Sequence, residues 1–283
     1  MRIVSNIRRM WRIADEARAA GKRIGLVPTM GYFHEGHLSL MRTARKECDL
    51  LVVSIFVNPT QFGPDEDLAA YPRDVERDCR DAEAVGADIV FIPTADEIYP
   101  AGYQTDVTVN KVTRNLCGVD RPVHFRGVAT VVTKLFNIVK PHMAIFGEKD
   151  FQQLATIKRL AKDLSFDVEI VGGPTIRETD GLAMSSRNAY IRPEERETAL
   201  CLSRSLAIAK EMVDTGERRS ERILQAVRSH IESKEQAEID YIKICSTETI
   251  EDIEEIDGEG LLAIAVKIGK ARLIDNCVLR PEN

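Results

Sequence analysis

The sequence lacks the features of a membrane protein and of a secreted disulfide scaffold. Its 283 residues contain no run of about 18 apolar residues, the length that a membrane-spanning helix needs. The six cysteines are scattered without a C-x-x-C pair, which favours buried thiols in a reducing compartment over disulfides or a zinc site. No apolar segment typical of a signal peptide begins the chain. We therefore expect a cytoplasmic protein with no membrane partner.

The chain also lacks an excess of positive charge. Its net charge is −6, and residues 176–283 account for all of it with 16 basic and 22 acidic side chains. A nucleic-acid-binding surface is normally basic, so no nucleic-acid partner is expected. The most basic segment, residues 1–23, is interpreted as a helix that ends near Gly21, with apolar residues at helical spacing. These residues are Ile7, Met10, Trp11 and Ala14.

The order of apolar segments in the first part of the chain predicts an α/β fold. Short apolar runs typical of strands covered on both faces are residues 24–28, 51–57, 88–93, 143–146 and 168–171. Segments with helical spacing lie between them, at residues 37–47, 74–85, 127–139 and 151–164. This alternation predicts a Rossmann-like parallel sheet with helices on both faces, over residues 1–175.

The alternation stops in the last third of the chain. Two successive helical segments, 193–213 and 219–233, precede two strand-like runs at 241–245 and 261–268. This order does not continue a strand–helix repeat, so an eight-unit barrel is not expected. We predict a smaller C-terminal α+β domain over residues 176–283, acting as a lid.

Both common glycine-rich phosphate loops, G-x-G-x-x-G and the P-loop, are missing. In open parallel sheets, ligands bind beyond the carboxyl ends of the strands, so the loops after the strands are informative. His34 and His37 follow the first strand-like run and begin a helix, whose free backbone N–H groups favour phosphate. A zinc pair is disfavoured because no third ligand has suitable spacing, whereas two loop histidines without a function remain an alternative.

Two other loops after strands are also polar. Asn58 and Gln61 carry amides that suit a ligand with hydroxyl and carboxylate groups. In the later loop, Lys149 suits a phosphate, and Glu148 and Asp150 suit ribose hydroxyls or Mg²⁺. Each loop alone could be a turn without function, but their recurrence favours a ligand site.

The last polar segment, residues 184–188, lies near the predicted domain junction. Ser185, Ser186 and Arg187 together can clamp a triphosphate through two hydroxyls and a guanidinium, and then close over it. A helix-capping segment is the alternative.

Together these segments resemble the pantoate–β-alanine ligase family of the nucleotidyltransferase superfamily. Residues 30–37 contain the H-x-G-H element of the superfamily, and residues 184–188 match its second motif. Segments that resemble the ligase family itself are residues 54–62, 124–128, 146–153 and 271–276. The resemblance extends over essentially the whole chain, and the ordered set carries it rather than any single motif.

The resemblance implies that ATP, (R)-pantoate and β-alanine give AMP, pyrophosphate and pantothenate through a pantoyl-adenylate, in a homodimer. The residues implied for the ATP site are Met30, Gly31, Tyr32, Phe33, His34, Glu35, Gly36, His37, Gly147, Glu148, Lys149, Asp150, Ile176, Met184, Ser185, Ser186 and Arg187. Those implied for catalysis are His34, His37, Lys149, Ser185 and Arg187.

The resemblance also implies where pantoate and the metal ion bind. Gln61 and Gln153 would hold pantoate, with Gln61 also near β-alanine, and Asn58 is placed with them in the substrate site. Mg²⁺ is expected because the triphosphate is highly charged, and Asp78 is suggested as its ligand. His124 and His142 are interpreted as core or loop residues.

Two other functions remain possible from the residues alone. An adenylyltransferase acting on a nucleotide-like acceptor would need a pocket for a phosphate or a base, whereas this chain offers paired glutamines. A non-catalytic adenine-nucleotide sensor would be expected to lose one of the charged side chains. All four are present: His34, His37, Lys149 and Arg187.

Overall fold

The computed structural model describes residues 1–64, 66 and 68–281. The chain forms two units. The first comprises Met1–Asn110, Asp120–Glu148 and Thr156–Pro174, and the second comprises Lys111–Val119, Lys149–Ala155 and Thr175–Asn283. No helix in the described part of the chain is both long and apolar enough to span a bilayer. All six cysteines are free thiols.

A six-stranded parallel sheet forms the centre of the first unit, in the order β1-β4-β3-β2-β5-β6. The strands are β1 (Arg2–Val4), β2 (Ile24–Thr29), β3 (Leu50–Ile55), β4 (Ile89–Phe91), β5 (Met143–Gly147) and β6 (Glu169–Gly173). Every residue of β3 is buried, which explains why all of its residues except Ser54 are apolar. The chain extends the sheet from β2 through β3 to β4 and then returns to place β5 on the other side of β2. The strand order therefore reverses between β2 and β5.

Helices connect the strands of this sheet. They are α1 (Ile7–Ala19), α2 (Glu35–Glu47), α3 (Val75–Ala84), α4 (Ala95–Ile98), α5 (Cys117–Asp120), α6 (His124–Val139) and α7 (Phe151–Asp163). Helices α5 and α7 each contribute residues to both units. The predicted Rossmann-like parallel sheet is confirmed, although β1, α4 and α5 were not predicted.

Helix α1 shows how local sequence determines an element. The Asn6 side chain accepts a hydrogen bond from the Arg9 backbone N–H at the start of the helix. At its end, Gly21 adopts a φ of +70°, and Lys22 donates its N–H back to the Ala17 carbonyl, as the glycine predicts. Trp11, however, lies on the exposed face of the helix.

The second unit contains a three-stranded antiparallel sheet in the order β7-β8-β9. Its elements are α8 (Arg196–Ala199), α9 (Cys201–Asp214), α10 (Ser220–Glu232), β7 (Ala237–Ser246), β8 (Gly260–Ile268) and β9 (Ala271–Leu279). Buried residues of α9 and α10 share one hydrophobic core with the sheet. The predicted α+β character is confirmed, but the first predicted helix is interrupted at Leu200 and β9 was not predicted as a strand.

Candidate functional site

The carboxyl ends of β2 and β5 define one position for a site in the first unit. The two strands pair in parallel, with Gly25 opposite Met143 and Leu26 opposite Ala144, so the loops after them begin side by side. The strand order reverses at this pair, and open α/β sheets bind ligands at such a point. The loop after β2 carries His34 and His37, and Glu148 directly follows β5.

His34 and His37 cap helix α2 reciprocally. The Gly36 N–H donates to Nδ1 of His34 at 3.1 Å, and the His34 N–H donates to Nδ1 of His37 at 3.3 Å. The two ring centroids are 4.2 Å apart. Because each Nδ1 accepts a hydrogen bond, each neutral imidazole carries its proton on Nε2. The pair therefore places two Nε2–H groups near a helix N-terminus, where negative charge is favoured.

The loop before the histidines has an unusual backbone. Gly31 has a φ of +84°, and Tyr32 has a φ of +53°, a region that favours glycine. A Cβ atom on Gly31 would lie 2.8 Å from an Asp78 oxygen and 3.0 Å from Ile55 Cγ2. Glycine is therefore required at position 31, and the strained Tyr32 needs support from elsewhere in the fold.

Asp78 of α3 provides that support. Its side chain is buried, and its two oxygens accept the N–H groups of Tyr32 and Phe33, each at 2.7 Å. Burial raises the pKa of Asp78, while these two hydrogen bonds oppose the rise by stabilising the charged form. Neighbouring Arg77 donates to the Phe33 carbonyl at 3.1 Å and lies over the Tyr32 ring. Sequence reasoning did not identify this positioning role.

The suggested metal role of Asp78 has no neighbouring ligands to support it. Within the described residues, no three His, Cys, Asp or Glu side chains come together as a possible metal site. Both Asp78 oxygens are instead engaged by backbone N–H groups.

The loop after β3, residues 58–61, is called the amide loop here, and hydrogen bonds from its buried side chains to other protein groups hold it in place. Asn58 and Gln61 are buried, and Asn58 Nδ2 donates to Gln61 Oε1 at 3.0 Å and to the Gly127 carbonyl at 3.1 Å. Asn58, expected among the substrate-binding residues, thus uses its amide within the protein. Gln61 donates through Nε2 to Met30 Sδ at 3.4 Å, which connects the amide loop to the histidine loop.

Helix α6 packs against this amide loop. A Cβ atom on Gly127 would lie only 2.4 Å from the Thr60 carbonyl oxygen, so glycine permits the close approach. At the start of the same helix, His124 Nδ1 lies 2.9 Å from the Gln61 carbonyl oxygen. The family-like segment 124–128 therefore holds the amide loop in place, and His124 is a loop-supporting residue rather than core.

The first turn of α7, in the second unit, contains two adjacent glutamines, Gln152 and Gln153, whose side chains have different surroundings. The buried Gln152 donates to the carbonyls of Val112 and Asn115 at 2.9 and 2.7 Å and accepts from the Cys117 N–H, which makes it structural. Gln153 is half-buried, and its side chain forms no hydrogen bond within the described residues. The role of Gln153 in holding pantoate, which the family resemblance implies, stays a prediction.

Lys149 lies at the junction before the same helix. Its side chain is half-buried and has no ion-pair partner in the described part of the chain, while its carbonyl accepts from Asn276 Nδ2 at 2.8 Å. A half-buried ammonium without a carboxylate partner suits an anionic ligand.

The clamp loop, residues 176–188, is braced by hydrogen bonds and ion pairs, of which the pair between Arg177 and Asp275 is partly buried. Met184 donates its N–H to the Ile176 carbonyl at 2.9 Å, and Ser185 Oγ accepts the Arg187 N–H at 3.3 Å. Arg177 binds Asp275 of β9 through two hydrogen bonds of 2.7 and 3.0 Å. The Asp275 carboxylate is 1% exposed, so this bidentate pair anchors the loop firmly.

Strand β9 connects the two parts of the site in this unit. Adjacent residues Asp275 and Asn276 hold the clamp loop and the Lys149 backbone respectively. Asp275 and Asn276 interrupt the apolar pattern of β9, which is why the sequence did not predict this strand. The same two residues position predicted site residues.

The predicted site residues fall into two groups. Those in the first unit are Met30, Gly31, Tyr32, Phe33, His34, Glu35, Gly36, His37, Asn58, Gln61, Asp78, Gly147 and Glu148. Those in the second unit are Lys149, Asp150, Gln153, Ile176, Met184, Ser185, Ser186 and Arg187.

Comparison with known proteins identifies the family. The pantoate-beta-alanine ligase family model matches residues 2–278. The chain is 61% identical over 282 residues to pantothenate synthetase from Syntrophus aciditrophicus, covering 100% of this chain and 99% of the relative. It is 58% identical to pantothenate synthetase from Syntrophobacter fumaroxidans over 281 residues, with 99% of each chain covered.

Solved structures agree with the sequence relatives. Pantothenate synthetase from Thermus thermophilus is 43% identical with a TM-score of 0.93, over 99% of this chain and 100% of that one. Pantoate-beta-alanine ligase from Francisella tularensis, complexed with beta-gamma ATP and beta-alanine, is 34% identical with a TM-score of 0.80, over 98% and 97% of the two chains. By sequence and by fold, the chain belongs to the pantoate–β-alanine ligase family.

Proposed function

We propose that this protein joins pantoate to β-alanine, consuming ATP and releasing AMP and pyrophosphate. The observation that carries the proposal is the histidine pair at the point where strand order reverses, in a chain that matches the ligase family over residues 2–278. The paired Nε2–H donors suit phosphate oxygens, and the braced amide loop beside them suits a small polar acid.

In the first step, a carboxylate oxygen of pantoate attacks the α-phosphorus of ATP. A new P–O bond forms, the bond from the α-phosphorus to the bridging oxygen breaks, and pyrophosphate leaves with that electron pair. Charge grows on the departing phosphates, and His34 and His37 stabilise it through their Nε2–H groups. On the family resemblance, Lys149, Ser185 and Arg187 are proposed to neutralise the charge of the phosphates.

In the second step, the free amine of β-alanine attacks the acyl carbon of the pantoyl-adenylate. The C–N bond forms, the C–O bond to AMP breaks, and the nitrogen loses a proton to solvent. Gln61 and Gln153 are proposed to hold pantoate through both steps. No covalent enzyme intermediate is needed, because AMP is already a good leaving group.

The proposed ATP site comprises two backbone segments, 30–37 and 147–150, together with Ile176 and the clamp residues 184–187. Mg²⁺ is proposed as a counter-ion in this site because the triphosphate is highly charged. Glu148 and Asp150 are the carboxylates nearest in sequence to Lys149 that suit Mg²⁺ or ribose. Asp78 is better explained as the residue that shapes the histidine loop.

The cellular setting also belongs to the proposal. On the family resemblance, we propose a cytoplasmic homodimer that acts on small molecules in the pathway to pantothenate, a coenzyme A precursor. Size-exclusion chromatography with light scattering tests the oligomeric state.

Isotope transfer tests the proposed chemistry. With ¹⁸O in the pantoate carboxylate, one label should appear in AMP, because that oxygen forms the new bond to the α-phosphorus. Enzyme, ATP and pantoate without β-alanine should also exchange labelled pyrophosphate into ATP. Release of ADP in place of AMP, or unlabelled AMP beside pantothenate, would contradict the proposal. Turnover that needs no pantoate would favour a different adenylyltransferase.

A further inference from the structure

The side-chain amide of Asn58 can be oriented in only one way. Oδ1 accepts the Thr60 backbone N–H at 3.4 Å, and Nδ2 donates to the Gly127 carbonyl at 3.1 Å. Exchanging the two ends would place donor against donor at Thr60 and acceptor against acceptor at Gly127. Asn58 is 1% exposed, so water cannot compensate for such a mismatch.

The orientation of Asn58 determines the orientation of Gln61. Asn58 Nδ2 directs its second hydrogen to Gln61 at 3.0 Å, so the atom of Gln61 that faces it must be the oxygen, Oε1. The other end of the Gln61 amide is therefore the NH₂ group. It contacts Met30 Sδ at 3.4 Å, and a thioether is a weak acceptor that a ligand oxygen can replace.

Tyr99 completes this chain of hydrogen bonds. Its hydroxyl donates to Asn58 Oδ1 at 2.8 Å, the shortest contact to that oxygen, and lies 3.1 Å from Thr60 Oγ1. Burial raises the pKa of Tyr99, so the hydroxyl keeps the proton that it donates. Its ring packs edge-on against Tyr103, with the centroids 5.0 Å apart, and Lys134 lies over both rings.

We propose that Tyr99 is a positioning residue for the substrate. Its hydroxyl makes the shortest of three contacts to Asn58 Oδ1, beside the Thr60 N–H and Thr60 Oγ1, and so helps to hold the Asn58 amide. Asn58 in turn orients Gln61, which consequently offers an N–H donor to bound pantoate. The site then favours a ligand that places a hydroxyl or carboxylate oxygen at this point and disfavours one that places a donor there. The identity of the ligand as pantoate rests on the proposed function.

Removal of the Tyr99 hydroxyl tests the chain of contacts. Tyr99→Phe should raise the pantoate KM and the calorimetric Kd by roughly 3- to 10-fold, the scale for one hydrogen bond. The KM for ATP should stay unchanged, and the melting temperature should fall by no more than about 2–4 °C, the scale for one lost hydrogen bond. Tyr103→Phe is the matched control, because the Tyr103 hydroxyl forms no hydrogen bond within the described residues. Unchanged pantoate binding in Tyr99→Phe, or an equal change in Tyr103→Phe, would overturn the proposal.

A double-mutant cycle tests whether Tyr99 acts through Gln61. In a Gln61→Ala background, Tyr99→Phe should cause no further loss of pantoate binding, because the amide that it positions is gone. A full additional loss there would contradict the proposed route.

Gln61→Glu tests the direction of the amide. The variant keeps an acceptor toward Asn58 and replaces the NH₂ group with oxygen, so pantoate affinity should fall at least as far as in Gln61→Ala. Near-normal affinity would mean that an oxygen faces the ligand and would overturn the proposed orientation. Wild-type enzyme that makes no pantothenate would instead refute the proposed function, so the two failures are distinguishable.

Discussion

Asp78 determines the shape of a loop that lies 45 residues before it in the sequence. Its carboxylate satisfies two successive backbone N–H groups, and one of them belongs to Tyr32, which has a positive φ. A strained residue persists only where its surroundings hold it. The positions of His34 and His37 thus depend on a carboxylate that need not touch any substrate.

Asp78→Asn should therefore impair both stability and activity. An asparagine can present only one oxygen, so one N–H of the loop loses its acceptor and meets an NH₂ group. We expect the free energy of unfolding to fall by about 1–3 kcal/mol, the cost of an unsatisfied buried group. The kcat should fall as well because the histidines shift. Urea unfolding and steady-state kinetics measure the two effects.

Asp81→Asn is the control for this change. Asp81 lies one turn further along α3, is partly exposed and pairs with Arg77 at 3.5 Å, so its loss should cost little. An Asp78→Asn variant that keeps wild-type stability and kcat would show that the loop is held in another way.

At the residue scale, the sequence allowed prediction of those candidate site residues that are recognisable from adjacent residues in the chain. His34 and His37 were predicted as site residues because a strand, a loop and the start of a helix follow one another directly in the sequence. Asn58 was predicted to bind substrate because its amide can both donate and accept hydrogen bonds. The sequence could not reveal that this amide contacts Tyr99 and Gly127, because both lie far away in the chain. No local pattern distinguishes a buried amide that supports a site from one that binds the substrate.

At the scale of elements, helix α6 approaches the amide loop more closely than a side chain at position 127 would permit. The virtual Cβ of Gly127 lies 2.4 to 2.6 Å from three backbone atoms of Thr60 and Gln61. Backbone atoms cannot rotate away as a flexible side chain can. The distance between helix and loop, and hence the place of Gln61, depends on this glycine.

Gly127→Ala should displace the amide loop. The added methyl would overlap the Thr60 carbonyl, at a cost of about 1–3 kcal/mol in stability by analogy with overpacked cores. Pantoate binding should weaken because Gln61 moves with the loop. Thermal unfolding and pantoate titration measure both changes.

Gly258→Ala provides the matched control, since the new methyl would meet no atom within 4 Å. If Gly127→Ala binds pantoate as tightly as the control variant does, the loop is more adaptable than its packing indicates.

The central strands were predictable because burial on both faces requires a continuous apolar run. The run at residues 143–146 became β5 (Met143–Gly147) almost unchanged. Strand β9 was missed because only alternate residues at its start are buried and one of these, Asp275, is charged. Asp275 pairs with Arg177, which lies 98 residues earlier, and the periodicity of apolar residues cannot reveal such a long-range pair.

At the scale of the whole molecule, the clamp loop should respond to ATP. Residues 174–190 include Arg187, which is half-buried and lies in a short helical turn capped by Ser185. If the loop binds the β- and γ-phosphates, ATP should slow trypsin cleavage after Arg187, whereas AMP, which lacks those phosphates, should not. Mass spectrometry of timed digests gives the rates.

Equal cleavage with saturating ATP, with AMP and without nucleotide would contradict the clamp role of Ser185 and Arg187. Protection by AMP as strong as by ATP would mean that the loop responds to the adenosine rather than to the phosphates. In either case the lid role predicted for residues 176–283 would lose its support.

The second unit is assembled from three separate stretches of chain, and Gln152 ties two of them together. Its amide binds the segment 111–119 from the first turn of α7, and Asn115 in that segment binds the Ile250 carbonyl and Asp252. A gene fragment that encodes residues 176–283 alone would omit these contacts. The C-terminal part is therefore unsuited to exchange between related enzymes on its own. A recombination breakpoint between residues 119 and 175 would separate the segment 111–119, or that segment and 149–155, from the C-terminal sheet.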